Sequence, residues 1–226
     1  MSLLDLRFLR GTTGRILRPI RRLLPKQKTS GPPELVTDTE VFSALSTECE
    51  KIIDTRKRLP DFVFRRSFAN YVPIEYSYIQ REGFAAFLSK LSGIFQDESV
   101  NYMAVDPSAV EYHDRYNCSF FGLATFKPSN LPERYVPALR PRLLAGVNIG
   151  VFWGSSLEWA IFCDRISWEL AVIAVPQNVD VRAMTDFKCM DAAAVSSYMK
   201  SLYHWRIPTA LDFNQRFLAN YSLSRS

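Results

Sequence analysis

Histidine does most acid–base work near neutral pH, yet it occurs only twice in these 226 residues. His113 sits beside Asp114, an imidazole with a carboxylate at hand. Neighbours in sequence often point apart, however, and the expectation here is a loop of polar residues. His204 lies between Tyr203 and Trp205 at the end of a helical pattern, where the helix dipole favours a cation and the role is structural. Cysteine is scarce too. Cys49, Cys118, Cys163 and Cys189 form no CxxC pair, so with two histidines they give no zinc-ligand spacing and are expected as free thiols in a reducing compartment. Nine glycines, none in GxGxxG or GxxxxGK(S/T), exclude phosphate cradles of those two kinds. Gly154-Ser155-Ser156-Leu157-Glu158 begins like a serine-hydrolase elbow, but Glu158 stands where the second glycine belongs, and the segment joins two predicted strands. No catalytic motif survives, and no cofactor or metal is expected.

Long apolar runs are missing as well. Leu3, Leu4, Leu6, Phe8 and Leu9 are interrupted by Asp5 and Arg7, and the run 143–153 is short and holds Asn148. Neither a secretory core nor a membrane-spanning helix is expected, which leaves the glycosylation patterns at Asn117 and Asn220 without weight.

What is present suits a folded domain: 47% apolar residues, 23% charged, and a length able to bury about 70% of the unfolded surface. The charge is uneven. Residues 1–28 carry +7 of the net +5, so the remainder sums to −2. A whole-chain reading as a nucleic-acid binder would misuse the average. Residues 1–36 read as a basic amphipathic arm closed by the linker Thr29-Ser30-Gly31-Pro32-Pro33, and 37–226 as a single α+β domain. Within the arm, Ile16, Leu17, Ile20, Leu23 and Leu24 make one face and Arg15, Arg18, Arg21 and Arg22 the other. Three readings stay open: an anionic membrane surface contacted through those arginines, an organelle transit peptide, or a disordered basic tail.

Along the body, Thr37 with Glu40 suggests a capping box opening a helix that runs to about Arg58, where Pro60 ends it. Val72, Ile74, Tyr76 and Tyr78 alternate as a strand that Pro73 assigns to a sheet edge. A helix over 82–96 is expected from Phe84, Phe87, Leu88, Leu91 and Ile94, then strands over 99–105 and 118–126, then a proline-laden loop through Pro141. The region 146–175 reads as three strands. With a tight turn centred on Arg165-Ile166, Cys163 faces Trp168, Ile161 faces Leu170 and Trp159 faces Val172, making one apolar face. Helices over 191–203 and 212–221, separated by Pro208, finish the chain. The order favours one mostly antiparallel sheet flanked by helices.

Glu158, Asp164 and Glu169 on this hairpin are the nearest approach to paired catalytic carboxylates, and they read as solvated or locally paired sheet residues. Arg56, Lys57, Arg58, Arg65 and Arg66 around Phe62, Phe64 and Phe68 come nearest to a nucleic-acid surface, and they read as a solvated helix end and strand edge. Trp159 and Trp168 are expected in the core.

The stretch Trp153-Gly154-Ser155-Ser156-Leu157-Glu158-Trp159-Ala160-Ile161, followed by Asp164-Arg165 and Trp168-Glu169-Leu170-Ala171-Val172-Ile173, resembles bacterial immunity proteins. These are the small cytosolic antidotes of polymorphic and contact-dependent toxins. Residues 74–107 are similar to them in layout. The resemblance implies an α+β protein that neutralises a toxin by occluding it without catalysis, with aromatic anchors and the acidic Glu111, Glu158 and Asp164 near the contact. It implies a cytoplasmic protein, which the arm could bring to the inner membrane. The alternative is a membrane-peripheral or organelle-imported enzyme or assembly factor targeted by that arm.

Overall fold

The computed structural model describes residues 34–139 and 143–221. The arm with Arg15, Arg18, Arg21 and Arg22 lies outside them. The described chain begins in the fold: Glu34 and Val36 make backbone bonds to Thr125, Leu123 and Phe121, and Leu35 and Val36 are buried. The body therefore reaches back into the stretch read as linker.

Helix α1 (Thr39–Ile52) is capped by Asp38, not by Thr37. One Asp38 carboxylate oxygen accepts from the N–H groups of Glu40 and Val41 at 2.8 and 3.0 Å. It stops short of Arg58 because Ile52–Asp54 turn to pair with Val63–Arg65. Strand β1 (Asn70–Glu75) ends early, as Tyr76–Gln80 winds into a 3-10 turn. α2 (Glu82–Ile94) follows its apolar stripe, and β2 (Val100–Asp106) follows as expected.

Two helices occupy stretches that read as loops. α3 (Ala109–Tyr116) carries His113-Asp114 and is opened by a reciprocal cap: Ser108 N–H donates to the Glu111 carboxylate at 2.9 Å, and Glu111 N–H to the Ser108 hydroxyl at 3.3 Å. β3 (Leu123–Phe126) is half the expected strand. α4 (Leu131–Leu139) forms among the prolines. Pro132 lies in its first turn, where no intrahelical N–H is needed, and buried Tyr135 anchors the helix by donating to the Ile79 carbonyl at 2.6 Å.

The chain continues through β4 (Ile149–Gly154), β5 (Ala160–Asp164), β6 (Leu170–Val175), the single turn α5 (Val181–Met184), α6 (Ala192–Leu202) and α7 (Ile207–Asn220). α7 starts before the expected Asp212 because Pro208 occupies its first turn instead of separating helices.

The fold is α+β: one sheet in the order β1-β6-β5-β4-β2-β3, every neighbouring pair antiparallel. As Pro73 implied, β1 is an edge strand. Both faces are covered. Tyr102, Phe152, Ile161 and Ile173 pack with residues of α2 and α4 on one side, while Val151, Phe162, Leu170 and Val172 pack with α1, α6 and α7 on the other. Strands covered on both faces read as continuous apolar runs. That is why the 160–175 segment shows no polar face.

The β5–β6 register differs from the tight-turn expectation. Cys163 pairs with Ala171, Phe162 with Val172 and Ile161 with Ile173. The connection is the five-residue loop 165–169, with Glu169 in the left-handed region at φ 48°. Trp168 thus leaves the strand and packs with the α6–α7 layer, while Trp159 is buried in the opposite layer.

At the other end of β5, Asp97 clamps the β4–β5 turn. Its carboxylate accepts from Trp159 Nε1 at 2.7 Å and from Ser156 N–H at 2.6 Å, and Ser155 Oγ receives Glu98 N–H at 2.8 Å. A Cβ on Gly154 would stand 2.2 Å from the same carboxylate, so glycine is required by close approach. The Gly-Ser-Ser segment is thus an anchor. Asp97→Ala leaves the buried Trp159 donor and the half-buried Ser156 N–H without their partner and should cost about 3 kcal/mol, with a smaller loss for Asp97→Asn. Urea denaturation checks this, and an unmoved midpoint for the alanine variant would contradict the clamp.

Candidate protein-binding surface

The two loops flanking β5 place the expected contact residues at opposite ends of the sheet. Glu158 lies beyond β4, half-exposed and paired with Arg66 at 2.7 Å. Asp164 closes β5 where it meets Ile149, and Glu111 stands in α3 just past the end of β2. Glu111 is exposed, and its carboxyl is held below the ordinary range by the Ser108 amide. The three do not converge on one site.

Asp164 is buried, so it offers no surface to a partner. It holds the 165–169 loop instead: one oxygen accepts from Ser167 N–H at 2.8 Å and Trp168 N–H at 3.4 Å. Burial raises its carboxyl pKa, against those backbone donors and the Arg58 charge.

That loop belongs to an apolar cluster the sequence reading did not identify. Ile166, Trp205, Ile207 and Leu211 are each more than half exposed, with Trp205 at 61%. Trp205 is joined to the 165–169 loop through Tyr203. Tyr203, at the end of α6, donates its hydroxyl to the Ser167 carbonyl and lies with its ring tilted 5.3 Å from that of Trp168 and 6.2 Å from that of Trp205. Trp168 lies 4.1 Å from Phe213 of α7 and donates Nε1 to the Leu59 carbonyl at 2.9 Å. The Arg206 guanidinium covers the Trp205 ring at 4.5 Å. Ile207 and Leu211 share one face of α7, one turn apart. Trp, Tyr and Arg side by side is the composition of interface hot spots, and exposed large apolar side chains on neighbouring segments make this a candidate contact. The sequence signal was present in Tyr203-His204-Trp205-Arg206-Ile207, but only the fold sets the 165–169 loop beside it.

The other candidates resolve locally. His113 Nδ1 lies 3.0 Å from Asp114 Oδ1, so the pair forms, on an exposed helix with the ring stacked on Phe121 at 5.3 Å. His204 Nδ1 stands 3.2 Å from the Ser201 carbonyl at the end of α6. Arg56 and Arg65 pair with Asp54, and Arg58 donates to the Thr55 and Lys57 carbonyls. All four cysteines are free thiols. Among the described residues, no three His, Cys, Asp or Glu side chains gather as a metal site, and no helix is long and apolar enough to cross a membrane.

Compared with family models, curated proteins and solved structures, the chain matches none.

A raised carboxyl pKa contributes stability that is complete in acid and lost as pH rises through the folded-state value. Between wild type and Asp164→Asn, which keeps an oxygen for the loop amides, the stability difference should therefore shift toward wild type as pH falls from 7 into the carboxylate range. Thermal denaturation across that range checks it, and a constant difference would contradict the desolvated carboxylate.

Proposed function

We propose that the chain is a non-enzymatic binding protein, an antidote that neutralises a toxin by occluding it, and that Ile166, Trp205, Ile207 and Leu211 form the centre of the contact. The observation that carries this is the exposed Trp205-Arg206 pair, packed against half-buried Tyr203 and Trp168, which rest on buried Phe213. A preformed aromatic anchor loses little conformational freedom on binding and fills a partner pocket with large area. Arg165 and Arg206 balance Glu169 and Asp212 in formal charge, so the contact would be carried by apolar area rather than by charge of one sign. The resemblance of residues 153–173 to immunity proteins supports the class of partner. Asp164 and Glu158 support it indirectly, by fixing the loops at either end of β5.

The test is purification of tagged full-length protein from its native host. A stoichiometric protein encoded by the neighbouring gene, toxic when expressed alone and harmless with this chain, is the expected result. Trp205→Ala should weaken that complex about 30-fold or more while changing folding stability by less than about 0.5 kcal/mol, because the ring is exposed. Isothermal titration and denaturation measure the two. Equal affinity for the variant would reject the patch, and salt-dependent sedimentation with anionic vesicles without a protein partner would favour the membrane-peripheral alternative.

A further inference from the structure

A cleft of about 800 Å³ lies along the outer edge of β1, at the opposite end of the sheet from the aromatic patch. β1 has β6 on its inner side, and among the described residues its outer side is touched only briefly. Ile74 forms a single bridge with Cys189, and Met190 N–H donates to the Pro73 carbonyl at 2.8 Å. That bond fixes the parity of the edge. In a strand, residues two apart direct their backbone groups to the same side. Pro73 points outward, so Tyr71 does too. Tyr71 N–H and C=O therefore face the cleft, and no described backbone group bonds them there.

The cleft offers walls to both faces of an incoming strand. The Tyr71 ring, Phe68 and Tyr221 form one side, continuous with the α6–α7 layer. Val72, Val179 and Val181 form the other, continuous with the α2–α4 layer. Alternating side chains of an extended peptide would each meet an apolar surface, as strand addition requires. The charged lining residues are Asp180, Asp191 and Arg182, a net single negative charge. Asp180 and Asp191 each accept from backbone N–H groups at the starts of α5 and α6, which keeps both carboxylates in place.

We propose that this cleft binds an extended peptide segment of a partner protein, which adds a strand to β1 by pairing with the Tyr71 backbone and places a basic side chain near Asp180 and Asp191. The occupant is extended because the outward N–H and C=O of Tyr71 lie on a strand edge and pair with another strand's backbone. It is basic because the rim is acidic. This binding site is independent of the Trp205 surface.

The probe is a library of octapeptides with Val or Ile at two alternate positions, a Lys beside them and the rest randomised, added to the full-length protein at millimolar concentration. Hydrogen exchange should show new protection of the Tyr71 amide, and Trp205→Ala should leave it unchanged. For a selected binder, N-methylation of the alternate amides that face Tyr71 should lower affinity about tenfold or more, whereas methylation of the other set should not. Tyr71→Pro and Tyr71→Val both remove the ring, but only proline removes the outward N–H, so binding should be weaker in the proline variant. The proposal is overturned if no peptide protects Tyr71, if protection appears only around Trp205, or if the two methylated series bind alike. The methylation result stands even if the proline variant fails to fold.

Discussion

Everything in this molecule follows from a sheet that has no wet face. The four inner strands β6, β5, β4 and β2 are buried on both sides, so the chain must place helices above and below them before any strand is stable. The helices are distributed accordingly: α2 and α4 on one side, α1, α6 and α7 on the other. An apolar slab of this kind does not set its own register, because sliding a strand by two residues still buries apolar side chains. Polar groups at the strand ends supply the register instead. β5 is bracketed by two carboxylates: Asp97 fastens the turn that enters it, and Asp164 fastens the loop that leaves it.

This also explains what could be read from the residues and what could not. The α2 stripe, the three strands within 146–175 and the edge position of β1 are local properties of pattern and proline, and they were legible. The β5–β6 register was not, because it depends on Asp164 turning inward to hold Ser167 and Trp168, which no periodicity records. α3 was missed although Ser108-x-x-Glu111 spells its cap, since a short polar helix gives little apolar repeat. α4 was missed because its prolines were read as breakers, when one lies in the first turn and Tyr135 ties the helix to Ile79. The contact surface escaped for a different reason. Its parts are forty residues apart in sequence, and exposure of Trp205 is a property of packing.

The two ends of the sheet thereby acquire different characters. One end carries rigid aromatic rings over a braced loop, suited to a pocket on a partner. The other carries an open strand edge, suited to main-chain pairing. Glu158, paired with Arg66, belongs to the second end, and Asp164 supports the first from beneath. The proposed antidote function rests on the first end alone.

The two lateral margins of the sheet also differ. The β3 margin is occupied by Glu34–Val36, whose backbone groups bond Phe121, Leu123 and Thr125. Among the described residues the β1 margin has no backbone partner at Tyr71, and at Pro73 it has no donor to give. A slab that can be extended from one border only is self-terminating. If two copies met through β1, each would use the sole border the other could join, and a closed pair would result in place of a growing fibre. Among the described residues, pairing through the borders of the native sheet would thus stop at two copies.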